Sequence, residues 1–387
     1  MAFTIDDNND GFEVADDFQM TTKIMVFGVG GAGGNAVSHM VESGIHDVEY
    51  VIANTDVAAL RTKDGSKMKR VQIGRKTTKG QGAGNDPAKG RDSAEENRED
   101  IEKLMDGVSM LFIAAGMGGG TGTGAAPVVA NIAKEKGILT VGVVTKPFNW
   151  EGTSKMRQAI GGISEMKKYV DALIVIPNDR LKELKGAKIT LMNAFAEVDN
   201  ILCKAVMGII KLLQGGGHVN VDFADVCMAL RESGIAHMAI GHGKGDYKID
   251  EALDEVLNSP LLETSINGAR RGLLNISVPP TLSFEEFDSL TQEIAEKFNS
   301  DARYKFGVVF DDSLAEDEIS LIVVATDFAD EADITPITDI TSNVSAASEP
   351  VASVTVTPTS EGLSGNVGFS EAQDIDTLLR KFNQGRD

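Results

Sequence analysis

The chain has 387 residues, 42% hydrophobic, 5% aromatic and 25% charged, with a formal net charge of -21. This length implies two domains plus tails around a substantial core. The acidity argues against a nucleic-acid-binding surface, which needs a basic patch, and against direct adsorption to an anionic membrane.

Residues 1–21 are acidic and weakly patterned and read as a flexible extension, without the apolar core of a signal peptide. No apolar run approaches the ~18 residues of a membrane span, so a cytoplasmic protein without direct membrane insertion is expected. Cys203 and Cys227 fall in apolar helical patterns and read as reduced core residues. The first strand, Lys23–Gly28, runs into a glycine-rich turn from Gly28 to Gly34. Alone this turn fits the dinucleotide fingerprint GxGxxG, a weak signal. The next strand, Val48–Ala53, ends at Asn54, Thr55 and Asp56. On a dinucleotide reading Asp56 is the ribose acid, about 20 residues past the glycines. Thr78–Pro87 is a third glycine-rich segment, by composition an ordinary surface loop. Arg91–Leu104 reads as a charged, solvated helix.

The most informative stretch runs from Gly116 to Pro127. It follows an apolar strand, Met110–Ala115, and precedes a helix that Pro127 opens at its first turn. Six of the nine residues from Gly116 to Gly124 are glycine. At roughly 0.5–1 kcal/mol of backbone entropy each, that is a heavy cost for a mere turn. A glycine run at a strand-to-helix turn brings backbone N–H groups close to an anion, so a phosphate chain is the expected ligand. No GxxxxGK[ST] occurs, which excludes a Walker lysine.

The stretch GGGTGTGAAP resembles the signature of the tubulin superfamily, and its surroundings resemble the bacterial cell-division GTPases, the FtsZ family. The resemblance covers residues 23–328 and a short C-terminal tail. It implies GTP or GDP as ligand, with Mg²⁺ held mainly by the nucleotide phosphates and no protein metal site. It places Gly31, Ala32, Gly33, Gly34 and Asn35 of the first loop on the phosphates. Gly118, Gly119, Gly120, Thr121, Gly122 and Thr123 of the signature join them. The loop at 78–87 reaches towards the terminal phosphate, and Asn54 and Asp56 lie near the nucleotide edge. Glu151 contacts the ribose, although without the family it is only a first-turn acid. Lys155 contacts nucleotide where family members often carry Arg, keeping the charge but not the planar fork. Trp150 stands where Phe is common.

A strand follows at Gly137–Val144 and another at Ala172–Asp179. The strand–helix alternation predicts an α/β fold with a doubly wound parallel sheet. Ligands on such sheets bind at the carboxyl ends of the strands, so all three glycine loops should share that edge. Apolar residues at helical spacing predict a long helix from Thr190 to Leu213, about 36 Å, buried between two domains. By resemblance it is the central helix that joins the GTPase domain to a smaller α+β C-terminal domain. Phe195 and Asp199 are i, i+4 on it and share a face. The resemblance makes Phe195 stack on guanine and Asp199 accept from its N1–H and 2-amine. The plain alternative for Phe195 is core packing.

Asp222 reads as the N-cap and Asp225 as the N3 acid of a helix Phe223–Arg231. The resemblance instead makes Asn220, Asp222 and Asp225 the loop that supplies catalytic acids to the nucleotide of the next subunit. Further strands are expected at Arg271–Val278, Lys305–Phe310 and Ile319–Thr326, with an amphipathic helix at Phe284–Phe298. The five histidines show no metal spacing. Domain limits follow as 1–21 extension, 22–189 GTP-binding domain, 190–214 central helix, 215–328 C-terminal domain, 329–368 disordered linker and 369–387 tail. In the tail, Ile375, Leu378, Leu379 and Phe382 make one apolar helical face within 374–382.

The whole reads as a GTPase that polymerises head to tail into the bacterial division ring under the membrane, recruited by membrane adaptors and other division proteins through 374–382. Two other classes fit parts of the pattern: a nicotinamide-dependent oxidoreductase resting on Gly28–Gly33 and Asp56, and a non-catalytic nucleotide-dependent scaffold. Plasmid-partitioning relatives of tubulin are a further alternative to cell division.

Overall fold

Residues 22–44, 47–183, 190, 193–213, 221–259, 269–297, 302–311 and 314–328 are described by the computed structural model. Strands β1 (Ile24–Val29), β4 (Met110–Gly116) and β5 (Leu139–Lys146) are apolar runs buried along nearly their whole length. Continuous apolarity without alternation is what a parallel sheet covered on both faces requires. With β2 (Val48–Asn54), β3 (Lys69–Gln72) and β6 (Ala172–Pro177) they pair in parallel in the order β3-β2-β1-β4-β5-β6.

Side-chain alternation sends Ile24, Val26, Met110 and Phe112 to one face and Met25, Phe27, Leu111 and Ile113 to the other. The first face is covered by α1 (Gly30–Glu42) and α7 (Ala194–Leu213). The second is covered by α4 (Arg98–Leu104) and α5 (Thr121–Glu135), with α3 (Pro87–Glu96) packed on α5 and α6 (Thr153–Met166) beside it. A short α2 (Val57–Arg61) follows β2.

Beyond α8 (Phe223–Leu230), strand β7 (Gly234–Lys244) belongs to both halves of the molecule. Its first residues pair in parallel with β6 through Gly234, Ile235 and Ala236. Its remainder pairs antiparallel with β10 (Glu318–Phe328) from His237 to Lys244. β10 then pairs with β8 (Ala269–Val278), and β8 in parallel with β9 (Arg303–Phe310), giving one ten-stranded sheet. Helices α9 (Lys248–Leu257) and α10 (Phe284–Lys297) close a separate core over this second half. The result is an α/β fold with a doubly wound N-terminal half and a smaller α+β half. Helix α7 packs against both, and the Asn275 amide of β8 donates to the Gly208 carbonyl of α7 at 3.0 Å.

Several sequence expectations change. Pro127 does not open α5; the helix begins at Thr121 and carries Pro127 inside it. The glycines of the signature are therefore partly helical, and Gly124 N–H already bonds the Gly120 carbonyl at 3.0 Å. The charged helix expected over 91–104 is two, broken at Asn97, whose side chain accepts from Gly74 N–H and donates to Asp100. Helix α7 begins at Ala194, four residues late, because the Asn193 side chain accepts from Thr190 N–H in a turn. The 20 residues of α7 span about 30 Å rather than 36 Å. Of the pieces expected outside these bounds, residues 1–21, 329–368 and 369–387 lie outside the described residues.

The close seat of α3 on α5 makes a testable demand. A Cβ on Gly124 would collide with the Pro87 carbonyl and lie 2.6 Å from the Arg91 nitrogen, both rigid backbone. Gly124→Ala is expected to destabilise the fold by about 1–3 kcal/mol, the usual cost of overpacking, read as a lower urea midpoint. An unchanged midpoint would show that α3 shifts freely.

Candidate nucleotide site

A cavity of about 650 Å³ opens at the carboxyl ends of β1, β2, β4, β5 and β6. All three glycine-rich loops reach it, as the sheet topology requires. From the first loop it takes Gly30, Gly31, Ala32 and Asn35, and from the signature Gly118, Gly119, Gly120, Thr121 and Gly122. The third loop supplies Gln81 to Asn85. Positive φ angles at Gly30 (76°) and Gly118 (102°) favour glycine, and both residues line the opening. The exit of β2 is braced against the signature: the Thr55 and Thr121 hydroxyls hydrogen-bond at 2.7 Å.

Three residues expected at the phosphates lie outside the cavity wall. Gly33 faces β4, where a Cβ would strike the Ala114 carbonyl, so it serves helix–strand packing. Gly34 borders a smaller space of about 70 Å³ next door. Thr123 sits behind the signature, its Oγ1 accepting from Gly118 N–H at 2.8 Å and holding the loop's turn.

The opposite wall is made by the loop after β5 and the start of α7. Phe195 is 48% exposed, which removes the plain core-packing alternative. Its ring meets Phe148 and Trp150 edge-on, at 5.8 and 5.9 Å, while Phe148 and Trp150 stack at 5.5 Å. An open aromatic face braced by two other rings suits a flat base. Asp199, one turn on, is only 6% exposed. Burial pushes its carboxyl up to about 6, against a side-chain hydrogen bond from Asn35 and the charges of His39 and Lys63, which pull it down. Glu151 accepts from Phe148 N–H at 3.0 Å and pairs with Lys155 at 3.0 Å, both Glu151 and Lys155 lining the cavity. Asp56 also lines it, but its carboxylate caps α2 through Ala58 N–H at 2.8 Å and Ala59 N–H at 3.3 Å.

Sequence reasoning missed Asn178, 4% exposed at the end of β6, and Thr145 at the end of β5, both in the wall. The polar exits of these strands were the available signal. Asn178 Oδ1 has no hydrogen-bond partner among the described residues.

Asp222 and Asp225 are elsewhere. Asp222 caps α8, accepting from Asp225 N–H at 2.7 Å, and Asp225 pairs with Lys305 at 3.1 Å. Neither lines the cavity. Asn220 lies outside the described residues. Among the described residues there is no His, Cys, Asp and Glu cluster able to hold a metal. None of the described helices is long and apolar enough to cross a membrane.

The strand order 3-2-1-4-5-6 is also that of dinucleotide-binding sheets, so topology alone does not separate the two readings. Comparison with known proteins does. The Tubulin/FtsZ family GTPase domain matches residues 23–186, and the FtsZ family C-terminal domain matches 234–329. An empty FtsZ dimer of M. jannaschii is 38% identical, with a TM-score of 0.76, over 80% of this chain and 89% of that one. The chain belongs to the tubulin/FtsZ family. A point mutant of M. jannaschii FtsZ is likewise 38% identical, with a TM-score of 0.75, over 79% of this chain and 91% of that one. The fold extends to GDP-bound CetZ1 of Haloferax volcanii at 22% identity and a TM-score of 0.67, covering 78% of this chain and 93% of that one. For this FtsZ-family chain the cavity is thus that of a GTPase domain, and the oxidoreductase alternative is set aside.

Proposed function

We propose that this chain is a self-polymerising GTPase of bacterial cell division that hydrolyses GTP between successive subunits. The observation that carries the reading is what the cavity lacks. The three acids that line it among the described residues are engaged: Asp56 caps α2, Glu151 pairs with Lys155, and Asp199 is buried beside Asn35. None of these is left to orient a water at the phosphate end, whereas Asp222 and Asp225 lie together outside it. A head-to-tail neighbour presenting Asp222 and Asp225, with Asn220 before them, completes the site. The FtsZ dimer, and a CetZ2 of Haloferax volcanii solved as a GTPγS-bound protofilament, support such assembly.

In this reading the base lies on Phe195 with Asp199 at its N1 and N2 edge, and Glu151 and Lys155 border the ribose. N–H groups of the Gly30–Ala32 and Gly118–Gly122 turns hold the phosphates and stabilise charge that develops as water attacks the γ-phosphate. Asp222 and Asp225 of the neighbour orient and polarise that water. Mg²⁺ carried by the phosphates would neutralise part of their charge.

Phosphate release measured across protein concentrations tests the shared site. Specific activity is expected to rise steeply past an assembly threshold. Constant specific activity from a demonstrated monomer would sink the proposal.

The apolar face of 374–382 is the proposed contact for membrane adaptors, tethered by about 40 linker residues with a reach of roughly 35 Å as a coil. Truncation after Gly368 is expected to leave GTP hydrolysis and polymerisation intact and to abolish recruitment to the membrane in cells. Normal recruitment of the truncated chain would place the anchor elsewhere.

A further inference from the structure

Asn35 stands between two groups of opposite hydrogen-bonding character. On one side the Lys63 ammonium donates to its Oδ1 at 2.7 Å. On the other, its side chain acts on the Asp199 carboxyl, with which it shares the cavity wall. An ammonium only donates and a carboxylate only accepts. One orientation of the amide satisfies both, with oxygen towards Lys63 and NH₂ towards Asp199. The Asp199 carboxylate favours that orientation by itself, and Lys63 reinforces it from the other side, where a flip would turn the NH₂ onto the ammonium.

Lys63 is itself held in place. Its backbone N–H bonds the Leu60 carbonyl at 3.3 Å, and its carbonyl accepts from Arg70 Nη1 at 3.0 Å. The adjacent acid, Asp64, is occupied by the Ser66 N–H and hydroxyl at 2.9 and 2.7 Å, so it does not draw the ammonium away. Asn35 lines both the main cavity and the small space behind it, and Lys63 lines the latter.

We infer that Lys63 is a positioning residue for base recognition: it fixes the Asn35 amide so that Asp199 presents an ionised carboxylate to guanine. This rests on the reading of Asp199 as the base-selecting acid. The groups acting on Asp199 are Asn35 and His39 of α1, and Lys63 from the segment after α2. Both His39 and Lys63 act in favour of the ionised form, but Lys63 is the one bonded to Asn35.

The test titrates GDP and ADP calorimetrically into the nucleotide-free full chain from about pH 5.5 to 8, across Lys63→Met, Lys63→Arg and Asp199→Ala. Lys63→Met is expected to weaken GDP binding about threefold or more near pH 5.5 and little at pH 8. It should also move the acid midpoint of binding up by about half a unit or more, since half a unit corresponds to about threefold. Lys63→Arg should restore both, and Lys63→Met should add nothing in the Asp199→Ala background. Native binding by Lys63→Met overturns the inference. So does a loss of equal size at every pH and in both backgrounds, which would mark Lys63 as a loop stabiliser. If Asp199→Ala leaves the preference for GDP over ADP unchanged, the base reading itself falls and takes this inference with it, a result distinct from failure of Lys63 alone.

Discussion

Asp222→Asn is expected to bind GTP like the native chain, to polymerise, and to lose roughly 10²–10⁴-fold in hydrolysis, the scale of a positioned acid or base. The choice of asparagine follows from the structure. Asp222 already has a structural task, accepting from Asp225 N–H as the cap of α8. Asparagine caps a helix about as well as aspartate, so the fold keeps its hydrogen bond while the charge disappears. Alanine removes both and should add about 1 kcal/mol of helix destabilisation to the same catalytic loss. Comparing the two by phosphate release and by melting separates chemistry from capping. Mixed polymers sharpen the result: with the acid donated across the interface, a native subunit followed by a variant one should be as slow as the variant alone. Full activity of Asp222→Asn in a pelleted polymer would leave the helix cap as its whole role.

The second large effect is at the base. Guanine offers two N–H donors to Asp199, whereas adenine has an acceptor at N1 and no 2-amine. Hydrogen bonds to charged groups contribute about 1.5–3 kcal/mol each, so GTP should be favoured over ATP by at least tenfold. Asp199→Asn should lose that preference and gain affinity for xanthosine triphosphate, whose 2-oxo group accepts from an amide. Equal turnover of ATP by the native chain would remove the assignment.

Asp199 also sets a pH dependence. With its carboxyl at about 6 in the free protein, GTP affinity should fall about tenfold per pH unit below that value, as the acceptor is protonated. For stability the sign is reversed. The folded value lies above the ordinary 3.8, so the native state holds this proton more tightly than the unfolded chain. Its contribution to stability therefore declines as pH rises from about 4 to about 6 and stays lost above that. The cost at neutral pH is on the order of 2–3 kcal/mol. Nucleotide-free Asp199→Asn should consequently melt higher than the native chain at pH 7 while binding GTP worse. A lower melting point would mean that the ionised carboxylate is better compensated than its burial implies.

The strands were legible where burial on both faces leaves an unbroken apolar run, as in β1, β4 and β6. β3 was not, because a four-residue edge strand reading Lys-Arg-Val-Gln is half solvated and carries the charges that protect an edge. β7 was hidden by glycines that the fold needs: a Cβ on Gly241 or Gly243 would collide with the backbone of α9. Pro127 misled because proline usually marks a first turn, whereas here glycines adopt helical geometry before it. At the site, composition located the loops but could not tell a glycine facing the cavity from one facing a strand. Gly31 and Gly33 are two residues apart and do different work. Lys63 and Asn178 come from outside the three glycine-rich loops, and the fold brings Asn178 into the cavity wall and Lys63 to the smaller space beside it.

Strand β7 gives the molecule a mechanical grain. Three residue pairs attach it to β6, against eight that attach it to β10. Tension transmitted along a polymer would thus meet a short seam in the sheet itself, reinforced by α7, which touches both sides. The short ladder should part before the long one, and the C-terminal half should come away with β7 still in its sheet. Such a seam is expected to act as a fuse: under load the subunit should yield first between the half that carries the cavity and the half that carries β8 to β10.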